Sequence, residues 1–465
     1  MLLTLVPTYR AIRFLGTVTP RWCQPLLFVL LLVGCGGTGN SVFDASTDGD
    51  TDAAVIDDSS IPDFPDSSVE AAPPCTGLKC QQVTCGGGGK TTISGTVMAP
   101  NGTLPLYNVI VYVPNAPLDP IPSGATCDTC GAMVSGSPIV TTLTDAKGHF
   151  SLENVPVGSN IPLVMQVGRW RRLVTLPGVQ QCQDNPVAAA VTRLPRNRQE
   201  GNIPKIAVTT GGCDPLACLL PKIGIDASEY TVNSGNPQRV TMYAGAGGSG
   251  PAGITSATNL WGNAAELKKF DMAIFSCECS ENNQNKTNPQ AVQQYADQGG
   301  KLFGSHYHYT WFQNLIPAWQ PTAAWGFSSG SIPAAVDQSF PKGKAMADWL
   351  NFQSISPVNV PLTQTTQNVA AVNAPTTRWL YATSGTTTHY LSFNTPVGKL
   401  PANQCGKAVF GGMHISGGGG TVDASFPAGC SVSLSAQEKV LAFLFFDLSS
   451  CVGDDTKPPV PPLPN

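Results

Sequence analysis

Histidine is scarce in this chain, five among 465 residues. Two of the five sit two positions apart in GGKLFGSHYHYTW, Gly299 to Trp311. Imidazole exchanges a proton or ligates a metal near neutral pH, so His306 and His308 mark the first place to look for chemistry. A third, His414, ends the run GKAVFGGMH. A sharp turn after Gly304 would bring His306, His308 and His414 to one sheet edge, and three imidazoles plus a water suit zinc-assisted hydrolysis. Glu278, at the tip of the run DMAIFSC, offers a carboxylate base. Tyr307, Tyr309 and Trp311 add aromatic surface. No HxxxH pair or carboxylate triad accompanies the histidines, so the expected order is a polar ligand cleft first, aromatic packing second and metal third. The candidates are therefore His306, His414 and Glu278 for catalysis and His308, Tyr307 and Tyr309 for ligand contact, with no metal and no cofactor assigned. Cys277 and Cys279 are expected in disulfides.

These residues need a scaffold. PKIAVTTG (Pro204 to Gly211), RVTMYAG (Arg239 to Gly245), DMAIFSC (Asp271 to Cys277) and KLFGS (Lys301 to Ser305) read as short buried strands. DPLACLLPKIGI, AAELKKF and NPQAVQQYADQGG read as the helices between them. The last has Asn288 as N-cap, Pro289 in the first turn, Ala291, Val292, Tyr295 and Ala296 on one face and Gly299 as its stop. SAQEKVLAFLFFDL adds a closing helix with Ser435 and Glu438 as a capping box. Strand and helix in alternation predict an open, mainly parallel sheet with helices on both faces, of flavodoxin-like type. Five or six such units fall short of a barrel.

The order DMAIFSC, helix, QYADQGGKLFGSH resembles the trehalose-utilisation (ThuA-like) branch of the class I glutamine-amidotransferase-like superfamily, and GKAVFGGMH resembles that branch's later strand ending in Gly-His. The resemblance spans about Ile203 to Cys451, with little likeness from roughly Gly330 to Val397. In the amidotransferases the strand-to-helix elbow carries a Cys nucleophile between glycines. Here the resemblance puts His306 at that position. Glutaminase chemistry needs a thiolate there, so the fold is implied without glutamine hydrolysis.

Upstream, TISGTV (Thr92 to Val97) and NVIVYV (Asn108 to Val113) alternate with the period of strands. In TDAKGHFSLENVPVG (Thr144 to Gly158), Asp145 to Gly148 suits a hairpin turn, Phe150 and Leu152 point inward, and His149 stays solvated. Strand, long loop and T-D-x-x-G-x-F-x-L-x-x-V-P-x-G hairpin resemble the carboxypeptidase regulatory-like (transthyretin-like) domain, which implies a small all-β sandwich used as a non-catalytic spacer. GRWRR (Gly168 to Arg172) is read as an edge strand whose charges discourage pairing. CGGGGKTT (Cys85 to Thr92) is not a phosphate loop, because no strand precedes it and no helix follows. GAGGSG (Gly245 to Gly250) follows a strand but opens no helix, so it is read as an insertion rather than a dinucleotide site.

The N-terminus supplies an address. Arg10, Arg13 and Arg21 precede an apolar run, Leu26 to Val33, too short to cross a bilayer that needs roughly 20 residues. Leu32-Val33-Gly34-Cys35 resembles the lipobox of bacterial lipoproteins, which implies cleavage before Cys35 and its acylation. Gly36 at the next position points to the outer membrane. Residues 36–74 hold nine acids and no Lys or Arg, a self-repelling stretch that reads as a solvated tether. Beyond it, 23 basic and 21 acidic residues balance, which argues against nucleic acid as a partner. Thirteen cysteines remain after processing and acylation. Outside the cytoplasm that number implies disulfides, with one thiol left over. Cys127-x-x-Cys130 has no second CxxC to make a zinc site, so it too is assigned to structural disulfides.

The expected plan is multidomain: 1–34 signal peptide, 35–74 acylated Cys and acidic linker, 75–200 Cys-rich segment and β-sandwich, 201–452 ThuA-like α/β domain, 453–465 Pro-rich tail. The expected function is a surface-tethered envelope lipoprotein that binds a carbohydrate or other small envelope ligand, with membrane lipid as its partner through Cys35. Two alternatives stand beside it. One is a hydrolase or sugar-modifying enzyme with a His-lined cleft, with or without metal assistance, and the other is a structural envelope component.

Overall fold

The structure is a computed structural model that describes residues 75–132, 134–330, 332–414, 430 and 433–464. The signal sequence, Cys35 and the acidic linker lie outside the described residues. The architecture is mixed, with several sheets and few long helices.

The first part holds seven strands: β1 Thr92–Thr96, β2 Ile110–Pro114, β3 Pro138–Leu143, β4 His149–Glu153, β5 Gly158–Val167, β6 Trp170–Val179 and β7 Asp184–Val187. They form two small sheets, ordered β4-β1-β7 and β3-β2-β5-β6. Ile93, Phe150 and Leu152 of one sheet and Val111, Ile161 and Leu163 of the other are buried in one shared core. Phe150 and Leu152 point inward as expected, with exposed neighbours on either side.

The Asp145 to Gly148 turn does not join paired strands. β3 pairs with β2 and β4 with β1, so the turn carries the chain from one sheet to the other. Asp145 Oδ1 accepts the N–H groups of Lys147 and His149 at 2.8 and 2.9 Å. Gly148, at φ +75°, lies where a Cβ would meet Val97 O at 2.8 Å. The edge reading of GRWRR is corrected in part: β6 is an edge strand, yet Trp170 and Arg171 are buried. The Arg171 guanidinium donates to Asp119 O, Ser135 Oγ and Asn202 Oδ1 at 2.7, 3.0 and 3.3 Å. Its charge is spent holding loops over the edge instead of repelling a neighbour.

A one-turn helix, α1 (Ala189–Thr192), leads into the second part. Its strands are β8 Ile206–Thr210, β9 Tyr230–Thr231, β10 Val240–Ala244, β11 Thr255–Ser256, β12 Met272–Phe275, β13 Lys301–Ser305, β14 Ala323–Trp325, β15 Ala334–Val336, β16 Val369–Val372, β17 Thr377–Ala382, β18 Thr388–Thr395 and β19 Gly406–Gly411. Its helices are α2 Leu219–Lys222, α3 Thr258–Trp261, α4 Ala264–Leu267, α5 Pro289–Asp297, α6 Pro341–Phe352 and α7 Ala436–Ser449. The main sheet runs β11-β10-β8-β12-β13-β19-β18-β17-β15, with β9 beside β10. From β11 to β19 every pairing is parallel, and from β19 to β15 every pairing is antiparallel. Strict alternation of strand and helix therefore ends after β13, within the stretch that lacks the repeating pattern.

The parallel strands alternate sides with period two. Ile206, Val208, Met272, Ile274, Phe303 and Val409 face a core shared with α6, α7 and the two small sheets. Ala207, Ala273, Phe275, Leu302, Ala408 and Phe410 face the other core, built with α3, α4 and α5. Burial on both faces explains why these strands read as continuous apolar runs. The small sheets are joined to the α/β part through α6 and α7. Trp349 Nε1 donates to Pro105 O at 2.8 Å, and Tyr107 stacks on Phe443 with centroids 6.0 Å apart.

Helix ends follow the local chemistry. Asn288 caps α5 through Ala291 N–H, and Ser435 with Glu438 closes a capping box on α7. DPLACLLPKIGI is not one helix but a 3-10 turn, Leu216–Cys218, followed by the single turn of α2. Pro221 lacks the N–H that a longer helix needs. No described helix is long and apolar enough to cross a membrane.

Among the described residues, six disulfides join Cys75–Cys80, Cys85–Cys182, Cys127–Cys405, Cys130–Cys451, Cys213–Cys279 and Cys218–Cys430. Cys127 and Cys130 thus take separate distant partners. Cys277 stays a free, buried thiol, which corrects its expected place in a disulfide.

Candidate functional site

The site forms at the carboxyl edge of the parallel strands, where α/β folds hold their ligands. β13 ends at Ser305, and the chain then breaks sharply. His306 adopts φ +38°, a left-handed conformation that a non-glycine residue holds only when its surroundings enforce it, at a cost of about 1–3 kcal/mol. A 3-10 turn, His306–His308, follows, and then a π-helical turn, Trp311–Leu315. Close packing shapes this elbow. At Gly304 a Cβ would lie 3.0 Å from the Phe312 ring.

His306 and His414 come together, Nδ1 of the first 2.9 Å from Nε2 of the second. One imidazole donates and the other accepts. Cys277, two residues past β12, places its Sγ 3.4 Å from the same His306 Nδ1. The three potential ligand atoms of Cys277, His306 and His414 all lie within 4.8 Å of one another. Tyr307 leans on His306 with ring centroids 4.0 Å apart.

Burial sets the protonation states. It holds His306 down at about 3, with the neighbouring His414 as the second cause, and it pushes the Cys277 thiol up to about 11. Near neutrality the site therefore presents an uncharged imidazole at His306 and a protonated thiol. Cys277 is fully buried, so it is not a nucleophile open to substrate.

The remaining candidates are placed differently. His308 is fully buried. Its Nε2 donates to Ser276 O at 2.9 Å, its Nδ1 accepts from Trp311 Nε1 at 3.1 Å, and its ring packs against Trp261 and Phe275. Both nitrogens are occupied and it faces no cleft. Glu278 turns toward the Gly245 to Gly250 loop, where its Oε1 accepts Ala246 N–H at 2.7 Å and its Oε2 lies 3.5 Å from Lys286 Nζ. Burial raises its pKa despite these partners. Tyr309 donates its hydroxyl to Glu281, and burial with that carboxylate raises the phenol to about 12. GAGGSG is thus not a free insertion, since it supports the buried Glu278.

Two residues were missed in sequence. Cys277 carried only the signal of the odd cysteine count. Asp214, buried beside β8, accepts the Ser305 hydroxyl at 2.5 Å, while the same hydroxyl lies 3.5 Å from Met413 O. Asp214 thus holds the hydroxyl at the end of β13, beside the residue before His414, and no motif announces it. A cavity of about 720 Å³ lies elsewhere, between Ile110, Arg171 and the Pro458 to Pro462 tail, and neither His306 nor His414 lines it.

No family model matches this chain, and no curated protein matches it. Among solved structures, it overlays on a ThuA-like protein from Bacteroides uniformis at 12% identity and TM-score 0.28, covering 52% of this chain and 88% of that one. It also overlays on a type II cohesin-X-dockerin complex from Acetivibrio cellulolyticus at 13% identity and TM-score 0.15, covering 32% and 79%. A 9R-lipoxygenase from Cyanothece overlays at 13% identity and TM-score 0.13, over 23% and 16%. At such scores none of these likenesses defines the fold or the function of this chain.

Proposed function

We propose that this chain is an extracytoplasmic lipoprotein, anchored through Cys35 at the outer membrane, whose ThuA-like, flavodoxin-type α/β domain binds a small envelope ligand at His306 and His414 and performs no glutaminase chemistry. The β-rich part before it serves as a regulatory-like sandwich spacer. The observation that carries the reading is the strained elbow that presents His306 to His414 at the carboxyl edge of the sheet. Six disulfides support an oxidising compartment. An imidazole held at about 3 is a weak base at neutral pH, which favours binding over proton abstraction. Tyr307 beside His306 offers an aromatic face suited to a sugar ring. The test is a glycan and small-ligand screen of the secreted protein against its His306→Ala variant. The reading expects at least one ligand that the wild type binds and the variant does not. Identical profiles for the two proteins would reject it.

A further inference from the structure

We infer that Cys277, His306 and His414 form a three-ligand site for a thiophilic d10 metal ion, zinc(II) or copper(I), with a fourth position left open. The inference rests on the reading of this elbow as a ligand site and names the ligand.

The backbone dictates the convergence. Cys277, His306 and His414 follow three adjacent strands, β12, β13 and β19, past their carboxyl ends. Phe275 stands opposite Gly304, and Ser305 opposite Gly411. Continuing these registers sets Cys277 level with His306, while His414 lies two residues beyond the position level with it. The left-handed backbone at His306 turns the strand there, and its imidazole meets both neighbours.

The donor set suits the ion. Two neutral imidazoles and one thiolate match a borderline or soft cation better than magnesium or calcium. For bonds of about 2.0 Å to nitrogen and about 2.3 Å to sulfur, a tetrahedral site has edges of roughly 3.3 Å between nitrogens and roughly 3.5 Å between nitrogen and sulfur. The observed separations of 2.9 and 3.4 Å need to open by only a few tenths of an ångström, while the third, from Cys277 to His414, lies within 4.8 Å and has to come to about 3.5 Å. A single His306 nitrogen faces two groups at once, an arrangement that a cation at their centre would satisfy better than one shared proton.

Binding balances without a redox step. Cys277 releases its S–H proton to solvent as the sulfur–metal bond forms. The ring that now donates shifts its proton to its outer nitrogen, so that His306 binds through Nδ1 with its proton on Nε2 and His414 binds through Nε2 with its proton on Nδ1. The present bond between the two rings is lost in the exchange. Three protein ligands with one open position is the pattern of catalytic rather than structural zinc.

The test uses the full secreted chain, stripped with chelator and titrated separately with zinc(II), with copper(I) under reducing but disulfide-sparing conditions, and with cobalt(II) as a spectroscopic stand-in. The inference expects one equivalent bound, a thiolate-to-cobalt charge-transfer band, and loss of that band in Cys277→Ser. Groups that only support ligands already matter 10–100-fold, so His306→Ala and His414→Ala should each weaken binding by more than about 100-fold. The solvated His149→Ala should bind as the wild type does. Absence of stoichiometric binding by the wild type, or an unchanged cobalt band in Cys277→Ser, overturns the inference. The wild-type spectrum alone decides if a variant misfolds. If no metal binds while the glycan and ligand screen still separates wild type from His306→Ala, the metal fails and the ligand reading stands. If neither separates them, both fail.

Discussion

The Nδ1 of His306 and the Nε2 of His414 lie 2.9 Å apart across 108 residues of sequence. Their meeting fixes what this edge of the sheet can do. Here sulfur is sealed below, at Cys277, and imidazole occupies the turn. On the reading proposed above, the arrangement holds a ligand between groups from adjacent strands.

Cys277 should behave as a hidden thiol. In the folded chain, a thiol reagent should leave it unmodified, and after denaturation without reductant the labelled peptide from the described region should be the one containing Cys277. Mass mapping that found Cys277 bonded to Cys213 would contradict the pairing of Cys213 with Cys279.

Lys301 predicts a pH dependence. Its Nζ is buried and finds no hydrogen-bond partner among the described residues. Burial pulls it down to about 7, against the support of Asp128 and Asp447 and with the repulsion of Lys407 and Lys342. A lysine whose folded value lies below its unfolded value of about 10.4 gives stability that is present above the unfolded value and is lost as pH falls toward the folded one. Thermal unfolding should therefore show stability from this group falling between about pH 10 and pH 7. Lys301→Met should flatten that slope and add on the order of 1–3 kcal/mol near neutrality. An equal slope in the variant would show that Lys301 finds a partner.

Glu278 and Lys286 should act as a buried structural pair. Removing one partner of such a pair costs about 3–5 kcal/mol, because the other is left buried and charged. Glu278→Gln and Lys286→Met should each destabilise in guanidinium titrations, and the double variant should lose less than the two single losses combined. If Glu278→Gln keeps full stability, the pair is not structural and the carboxylate is free for chemistry.

The long-range disulfides should carry more stability than the local one. Cys127–Cys405 and Cys130–Cys451 close separations of 278 and 321 residues, and Cys75–Cys80 closes one of five. Loop-closure arguments give each long bridge about 2–5 kcal/mol. Cys130→Ser with Cys451→Ser should lower the denaturation midpoint clearly, while Cys75→Ser with Cys80→Ser should move it little. Equal shifts would refute the ranking.

Legibility in the sequence followed the range of the interactions. The Asn288 cap, the capping box of Ser435 and Glu438, and the buried runs at β8, β10, β12 and β13 were readable because caps and periodicity act within a few residues, while β19 was read only through a family resemblance. The antiparallel flank from β15 to β18 was not readable, since its pairing depends on partners far along the chain. For the same reason Asp145 to Gly148 looked like a hairpin when it crosses between sheets. At the site, topology raised the convergence of His306, His308 and His414 as one alternative, and the structure brings together His306 and His414 without His308. The free state of Cys277 was not foreseen, because cysteine spacing does not reveal which of two thiols, Cys277 or Cys279, reaches Cys213. His308 carried the same local signal as His306. Only the turn after Ser305 decides that one faces the edge and the other the aromatic core.

The most direct measurement of shared binding is a double-mutant cycle on zinc affinity, by calorimetric titration of wild type, His306→Ala, His414→Ala and the double variant. A single site built by both imidazoles predicts that each single change removes nearly all the affinity and that the double change removes no more. Independent, additive losses, or full affinity in either single variant, would contradict it.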